Sequence, residues 1–148
     1  MVAAVPRLCF DTNALIYLVD RVSPYYEWLD PLFLSVQSGQ HDALFSVITE
    51  AEVRVRPLRE GLDEKLDRIA AFFAGSSVRV IEASREIARV AAEVRAETSL
   101  ALPDAIIVAT AVVTGCDALV GNDRDCARRV KAIPYVYLDE AVASGRSP

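Results

Sequence analysis

Two aspartates follow strand-like segments, at points where a protein of parallel strands places its chemistry. Asp11 directly follows the apolar segment RLCF (7–10), and Asp123 follows ALVGN (118–122). In sheets of parallel strands, binding and catalytic side chains lie in the crevice beyond the carboxyl ends of the strands. Aspartate is also a favoured N-terminal cap of a helix. Each residue taken alone therefore predicts either a helix cap or a member of an acidic site.

Two further acids lie on predicted helices. Asp104 is in the first turn of DAIIVATAVVTG (104–115), a segment that is apolar on nearly all sides and is typical of a buried helix. A buried carboxylate without a partner is costly, which favours a cation or a water-filled crevice at this helix start. The alternative is an ordinary N-terminal acid on a partly exposed helix end. On the helix beginning at Ser46, Glu50 borders the apolar stripe and Glu52 points away from it, so we expect Glu50 to reach inward.

The four acids Asp11, Glu50, Asp104 and Asp123 predict a shared site with a cation. Carboxylates gathered in one crevice repel one another unless some are protonated or a cation neutralises them. His41 is the only histidine and the cysteines lack ligand spacing, so zinc is disfavoured and Mg²⁺ or Mn²⁺ is favoured. Such an ion activates a water and neutralises charge on a phosphodiester. The set therefore indicates metal-dependent phosphodiester hydrolysis.

Other hydrolytic mechanisms lack their residues. A serine or cysteine hydrolase would have to use His41, which has no nucleophile motif beside it, and no Gly-rich loop ends in Lys-Ser/Thr. A phosphatase of the haloacid dehalogenase type requires a second aspartate where Asn13 stands. A response-regulator receiver requires adjacent acids before its phosphorylated aspartate and a late lysine at a strand end, and neither is found. These two classes remain minor alternatives.

Length and composition predict one globular domain over residues 1–148. Of its residues, 53% are apolar and 25% are charged. The net charge of −5 becomes −1 without the four acids, so it does not exclude nucleic-acid binding. Local basic clusters matter more, and there are two of them. They consist of Arg54, Arg56 and Arg59, and of Arg124, Arg128, Arg129 and Lys131.

The sequence predicts a cytoplasmic protein without a membrane segment. Cys9, Cys116 and Cys126 form an odd set without a CxxC pair, which suits a reducing compartment. The first ten residues do not resemble a signal peptide. The apolar stretch 105–113 is far shorter than the ~20 residues that a membrane span needs.

Strand-like runs alternate with helical patterns along the chain, which predicts an α/β protein with a mostly parallel sheet covered on both faces. The predicted strands are 7–10, 43–45, 78–81, 117–121 and 135–138. The predicted helices are 13–19, 24–38, one from Ser46 that ends before or soon after Pro57, 61–74, 84–97, 103–115 and a short one after Asp123.

Four motifs in order resemble the PIN-domain ribonucleases, and most of all the VapC-type toxins of prokaryotic toxin–antitoxin pairs. They are FDTNALIYL (10–18), SVITEAEV (46–53), LPDAIIVATA (102–111) and ALVGNDRDC (118–126). The resemblance implies a three-layer α/β/α PIN fold and a Mg²⁺- or Mn²⁺-dependent endoribonuclease with an acidic quartet at Asp11, Glu50, Asp104 and Asp123. It also implies an RNA substrate and a cognate antitoxin. The auxiliary positions that it implies are Thr12, Asn13, Asn122 and Asp125.

The chain departs from the family pattern at two positions. Family members commonly carry Thr or Ser at Gly121 and an aromatic residue at Cys126. The missing hydroxyl is expected to remove one contact in the site. Gly121 is also the only hint of the alternative function, a catalytically silent PIN module that acts as a binding protein.

Apolar residues on the helices at 46–59 and 61–74 predict an interface. Val53, Leu58 and Phe72 lie beyond a single core stripe, so some of them are expected to stay exposed. We expect a homodimer through one helical face, with the antitoxin bound beside the acidic crevice.

Overall fold

Five short apolar segments form a parallel sheet in the computed structural model of the chain, which describes residues 4–148. The strands are β1 (Arg7–Phe10), β2 (Asp42–Ser46), β3 (Val78–Ile81), β4 (Ala118–Gly121) and β5 (Tyr135–Tyr137). Their order is β3-β2-β1-β4-β5, and every neighbouring pair is parallel. Parallel pairing needs a crossover between consecutive strands, and here helices lie in each of these connections.

Eight helices are found between residues 4 and 148. They are α1 (Thr12–Val19), α2 (Tyr25–Gln37), α3 (Val47–Glu60), α4 (Asp63–Ala74), α5 (Arg85–Thr98), α6 (Leu102–Val113), α7 (Arg124–Arg129) and α8 (Leu138–Ala143). None of these helices is by itself long and apolar enough to cross a membrane. Helices α5 and α6 taken together have that length and composition, but the chain bends sharply between them.

The helices form two layers, because alternate strand residues point to opposite faces of the sheet. On one face, Cys9 and Leu119 belong to a core cluster that contains residues of α5, α6 and α7. On the other face, Phe10 and Val120 pack with residues of α1 to α4 and α8. The second cluster contains an aromatic group in which Phe45 contacts Phe10 and Phe72, with ring centroids 5.5 Å apart in both pairs. The predicted three-layer α/β/α fold is confirmed.

Helix α3 ends soon after the proline in it, which is one of the two expected positions. Its N-cap is Ser46, whose side chain accepts a hydrogen bond from the backbone N–H of Ile48 at 3.1 Å. Pro57 lies inside the helix, where its ring is buried, and the helix ends only at Glu60. Gly61 then adopts a left-handed conformation with φ of 67°, which a glycine accepts at little cost. The acids of this helix are therefore held on one continuous element.

The sequence pattern missed one helix. The segment 135–138 was expected to be a strand, but the strand ends at Tyr137 and α8 begins at Leu138. Leu138 is fully buried, which is compatible with either element because a single apolar residue carries no period. The other predicted strands and helices are present, with ends that differ by at most two residues where a bound was predicted.

Candidate active site

Neighbouring strands carry Asp11 and Asp123 to the same edge of the sheet. Phe10 at the end of β1 is in register with Val120 of β4, and the backbone N–H of Asp11 donates to the carbonyl of Val120 at 2.9 Å. Asp11 therefore follows β1 directly, and Asp123 lies two residues beyond the end of β4. The topology of the sheet thus accounts for their proximity.

Asp11 is both a helix cap and a buried acid. Its side chain is the N-cap of α1, where Oδ1 accepts a hydrogen bond from Ala14 N–H at 3.0 Å. Its Oδ2 accepts from the Tyr135 hydroxyl at 3.1 Å and from Asn122 N–H at 3.3 Å. The pKa of Asp11 is nevertheless raised from 3.8 to about 6, because loss of solvent outweighs these three hydrogen bonds and nearby Asp123 makes a smaller contribution.

Asp123 is the N-cap of α7, and its Oδ1 accepts from Cys126 N–H at 2.9 Å. Its backbone N–H donates to the Tyr135 hydroxyl at 3.0 Å. The Cys126 thiol also lies beside this carboxylate. The capping role therefore uses one carboxylate oxygen and leaves the other available.

Asp104 does not cap its helix. The N-cap of α6 is Ala101, and no described side chain or backbone group donates to the Asp104 carboxylate. Its half-buried position raises the pKa of Asp104, and the negative charges of Asp123 and Glu52 raise it further. Asp104 is thus a carboxylate that faces two others, as expected for a shared acidic site.

Glu50 does not lie with the other three acids, contrary to the expectation that it reaches inward. The buried stripe of α3 consists of Thr49, Val53 and Pro57, and its two flanks face different neighbours. Glu50 lies on the flank towards α4, where its Oε1 is 3.3 Å from Arg54 Nη1.

Arg54 in turn lies over the ring of Phe73, 5.5 Å from its centroid. Glu52 lies on the opposite flank, where the Thr12 hydroxyl donates to its Oε1 at 2.7 Å.

A crevice of about 160 Å³ collects the acids at this edge. We call it the acidic crevice, and Ile107 adds an apolar wall. The residues that line it are Asp11, Thr12, Asn13, Glu52, Asp104, Ile107 and Asp123.

The donors of the acidic crevice fit a hard divalent cation. They are carboxylate oxygens with hydroxyl and amide groups beside them, which suits Mg²⁺ or Mn²⁺ better than a softer ion. Within residues 4–148, no three acidic, histidine or cysteine side chains are gathered closely enough to hold an ion together. Mg²⁺ usually keeps several waters and takes only one or two carboxylates directly. The crevice therefore matches the ion in chemistry and leaves space for its waters.

The auxiliary residues divide into two groups. Thr12 and Asn13 line the acidic crevice. Asn122 turns its side chain away, towards the Tyr17 hydroxyl and Asp139 at 3.0 and 3.3 Å. Asp125 is exposed and lies 3.8 Å from Arg129, outside the crevice.

The two departures from the family pattern have different surroundings. Cys126 is buried in the core cluster with Leu119 and Ile133, as a small apolar residue. Gly121 lies against Asp11, and the space that a side chain would need there is taken by Asp11 and the Tyr135 hydroxyl. The site therefore does not lack a hydroxyl at this point. Tyr135 supplies one from a neighbouring strand, which the spacing of the motifs gave no means of predicting.

The profile of the PIN domain family matches residues 8–132. The chain belongs to the PIN domain family. No curated protein sequence matches it significantly.

Several solved structures share the fold of this PIN domain. The first is VapBC2 of Rickettsia felis bound to a promoter DNA fragment, with 18% identity and a TM-score of 0.72 over 88% of this chain and 98% of that one. A toxin–antitoxin complex from Klebsiella pneumoniae has 26% identity and a TM-score of 0.65 over 88% and 97%. VapC20 of Mycobacterium tuberculosis, a toxin that cleaves the sarcin–ricin loop, has 18% identity and a TM-score of 0.66 over 86% and 99%.

Proposed function

We propose that this PIN domain is a Mg²⁺- or Mn²⁺-dependent endoribonuclease. The observation that carries the proposal is the acidic crevice, in which Asp11, Glu52, Asp104 and Asp123 converge at the carboxyl edge of the sheet. Among residues 4–148, no lysine or arginine forms an ion pair with any of the four. Carboxylates that face one another without a basic partner favour a bound cation.

One or two of the four carboxylates would bind the ion directly and the others through its waters, with Glu52 in the place first expected for Glu50. A bound divalent cation supplies an activated water and neutralises charge on the phosphodiester. Thr12 orients Glu52 through its hydroxyl, and the helix caps fix Asp11 and Asp123. Asp104 has no hydrogen-bond donor within the described residues, so its carboxylate is available as a ligand or as an acceptor of the proton from the attacking water.

Helix α7 offers a route for the RNA backbone. It begins beside the acidic crevice at Asp123, and it carries the exposed residues Arg124 and Arg128. Neither arginine forms an ion pair with the residues that the structure describes. Arginine binds phosphate through several hydrogen bonds, and contacts with phosphate position a nucleic acid without reading its sequence.

We also propose that the protein is the toxin of a toxin–antitoxin pair, acting in the cytosol. The structures from Rickettsia felis and Klebsiella pneumoniae that share its fold are toxin–antitoxin complexes. An exposed apolar surface supports this proposal, because Val55, Leu58 and Leu62 are exposed near the end of α3 and such surfaces often bind partners. Of the residues expected there, Leu58 is exposed, whereas Val53 is buried and Phe72 packs against the core. A homodimer or an antitoxin helix could cover this surface.

The nuclease is tested by incubating purified protein with total RNA in Mg²⁺, in Mn²⁺ and in excess EDTA. We expect cleavage with either ion and none with EDTA. Glu52→Gln should abolish cleavage, while the matched variant Glu50→Gln, two residues along the same helix, should cleave within about twofold of wild type. Full cleavage in EDTA or by Glu52→Gln would refute the metal mechanism. A wild type that binds the ion and never cleaves would favour the catalytically silent binding module.

The toxin assignment is tested separately. The chain is expressed with the product of the adjacent upstream reading frame, and the molar mass of the purified material is measured by light scattering. We expect a stable complex and a dimer of the chain alone. A monomer that binds no neighbour-encoded protein would leave a free-standing nuclease.

A further inference from the structure

One hydroxyl joins the two acids that follow β1 and β4. The Tyr135 hydroxyl donates to Asp11 Oδ2 at 3.1 Å and accepts from the backbone N–H of Asp123 at 3.0 Å. Tyr135 is on β5, the edge strand beyond β4, so it reaches across Gly121 to make both bonds. A phenol has one proton to donate, and here it is directed at the carboxylate.

The backbone of β4 is shaped to admit this hydroxyl. A Cβ atom at Gly121 would collide with Asp11 Oδ2, with its Cγ and with the Tyr135 hydroxyl. The φ of Gly121 is not in the left-handed region, so its backbone conformation does not require glycine. Glycine is required there because Asp11 and Tyr135 approach the backbone so closely. Glycine and tyrosine at these two positions therefore form one arrangement around Asp11.

The hydrogen bonds on Asp11 determine what remains free for a ligand. An ionised carboxylate offers about four acceptor positions. Tyr135, Asn122 and Ala14 take three of them, two on Oδ2 and one on Oδ1. The side chain is thus held in one orientation by three donors, one on α1, one on β5 and one in the loop after β4. Removing the hydroxyl leaves Oδ2 with the Asn122 N–H as its remaining donor and leaves the N–H of Asp123 without this acceptor.

We propose that Tyr135 is a positioning residue of the acidic crevice, whose hydroxyl orients Asp11 and fixes the backbone at Asp123 for cation binding. The proposal rests on the proposed metal-dependent function. Groups that hydrogen-bond to metal ligands set ligand orientation, and their loss typically costs about 10–100-fold in metal affinity or activity.

The test measures Mn²⁺ binding by calorimetry on metal-free protein, without RNA. Tyr135→Phe removes the hydroxyl and keeps the ring that packs against the core. We expect it to weaken Mn²⁺ binding about 10- to 100-fold, while a cooperative urea transition in EDTA shows that the variant is folded. The matched control is Tyr137→Phe on the same strand, whose hydroxyl bonds to Asp139 at 3.2 Å; it should bind Mn²⁺ as wild type does.

A second measurement needs no variant to fold. In wild-type protein labelled with ¹³C at tyrosine Cζ, added Mg²⁺ should shift the Tyr135 resonance and leave that of Tyr26 in place. If Tyr135→Phe binds Mn²⁺ as tightly as wild type, or if the Tyr135 resonance does not shift on addition of Mg²⁺, the inference about Tyr135 is overturned and the proposed function is not. A wild type that binds neither ion would overturn the proposed function and this inference together.

Discussion

Carboxylates lie at both ends of β1, and their surroundings at the two ends differ. At the amino end, the backbone N–H of Arg7 donates to Asp117 Oδ2 at 2.7 Å, and its guanidinium lies 3.8 Å from Asp42 Oδ2. At the carboxyl end, Asp11 and Asp104 face other acids, and burial raises the pKa of both. The negative charge of an acid beside a basic partner is balanced by that partner. A group of acids without a basic partner is stabilised by binding protons or a cation.

The largest expected effect separates the two ends by activity. Asp104→Asn should lower RNA cleavage at least about 10³-fold, since charge stabilisation by a metal site supplies several kcal/mol and each 1.36 kcal/mol is tenfold in rate. Asp42→Asn removes an equal charge at the amino end and should leave the rate within about twofold. The measurement is the initial rate of cleavage at saturating Mg²⁺. Equal losses in both variants would mean that the effect is general and not local to the acidic crevice.

The second expected effect is on stability as a function of pH, in EDTA. The folded pKa of Asp11, about 6, lies above its ordinary value of 3.8, so the folded protein holds this proton more tightly than the unfolded chain does. Its contribution to the free energy of unfolding is fully present below about pH 4 and is lost as the pH rises through 6, a change of roughly 3 kcal/mol.

The variant Asp11→Asn should lack this loss, because asparagine does not titrate and is an equally good N-cap. Urea denaturation at several pH values from 4 to 7 gives the comparison, with Asp42→Asn as the control that should follow wild type. Parallel curves for wild type and Asp11→Asn would contradict the raised pKa.

The smallest expected effect is on the melting temperature in EDTA. Asp104→Asn removes a charge that Asp123 and Glu52 repel, and it removes no hydrogen bond within the described residues, so the melting temperature should rise. Asp42→Asn removes an exposed ion pair with Arg7, which contributes little. Scanning calorimetry measures both. A lower melting temperature for Asp104→Asn would indicate that this side chain stabilises the helix start instead.

The sequence predicted the features that depend on periodicity and chain order. The sheet and its parallel strands follow from alternating elements, and the positions of Asp11 and Asp123 follow from where β1 and β4 end. Asp104 was found because a charged residue opens a helix that is buried on nearly all sides.

The features that depend on packing between distant elements were not predictable. Helix α3 carries apolar residues on more than one side, and the pattern alone does not say which are buried: Val53 is buried, whereas Val55 and Leu58 are exposed. The buried stripe follows Thr49 and Val53, and which flank faces the crevice is decided by α1 and α4. Tyr135 was missed for the same reason, since its bond to Asp11 spans 124 positions in the chain.

The most direct test of the account is whether the acidic crevice binds a divalent cation by itself. Mn²⁺ is titrated calorimetrically into metal-free wild type, Glu52→Gln and Glu50→Gln. We predict binding to wild type and to Glu50→Gln with similar affinity, and binding at least tenfold weaker to Glu52→Gln. Equal affinity in all three proteins, or loss in Glu50→Gln with retention in Glu52→Gln, would contradict the account.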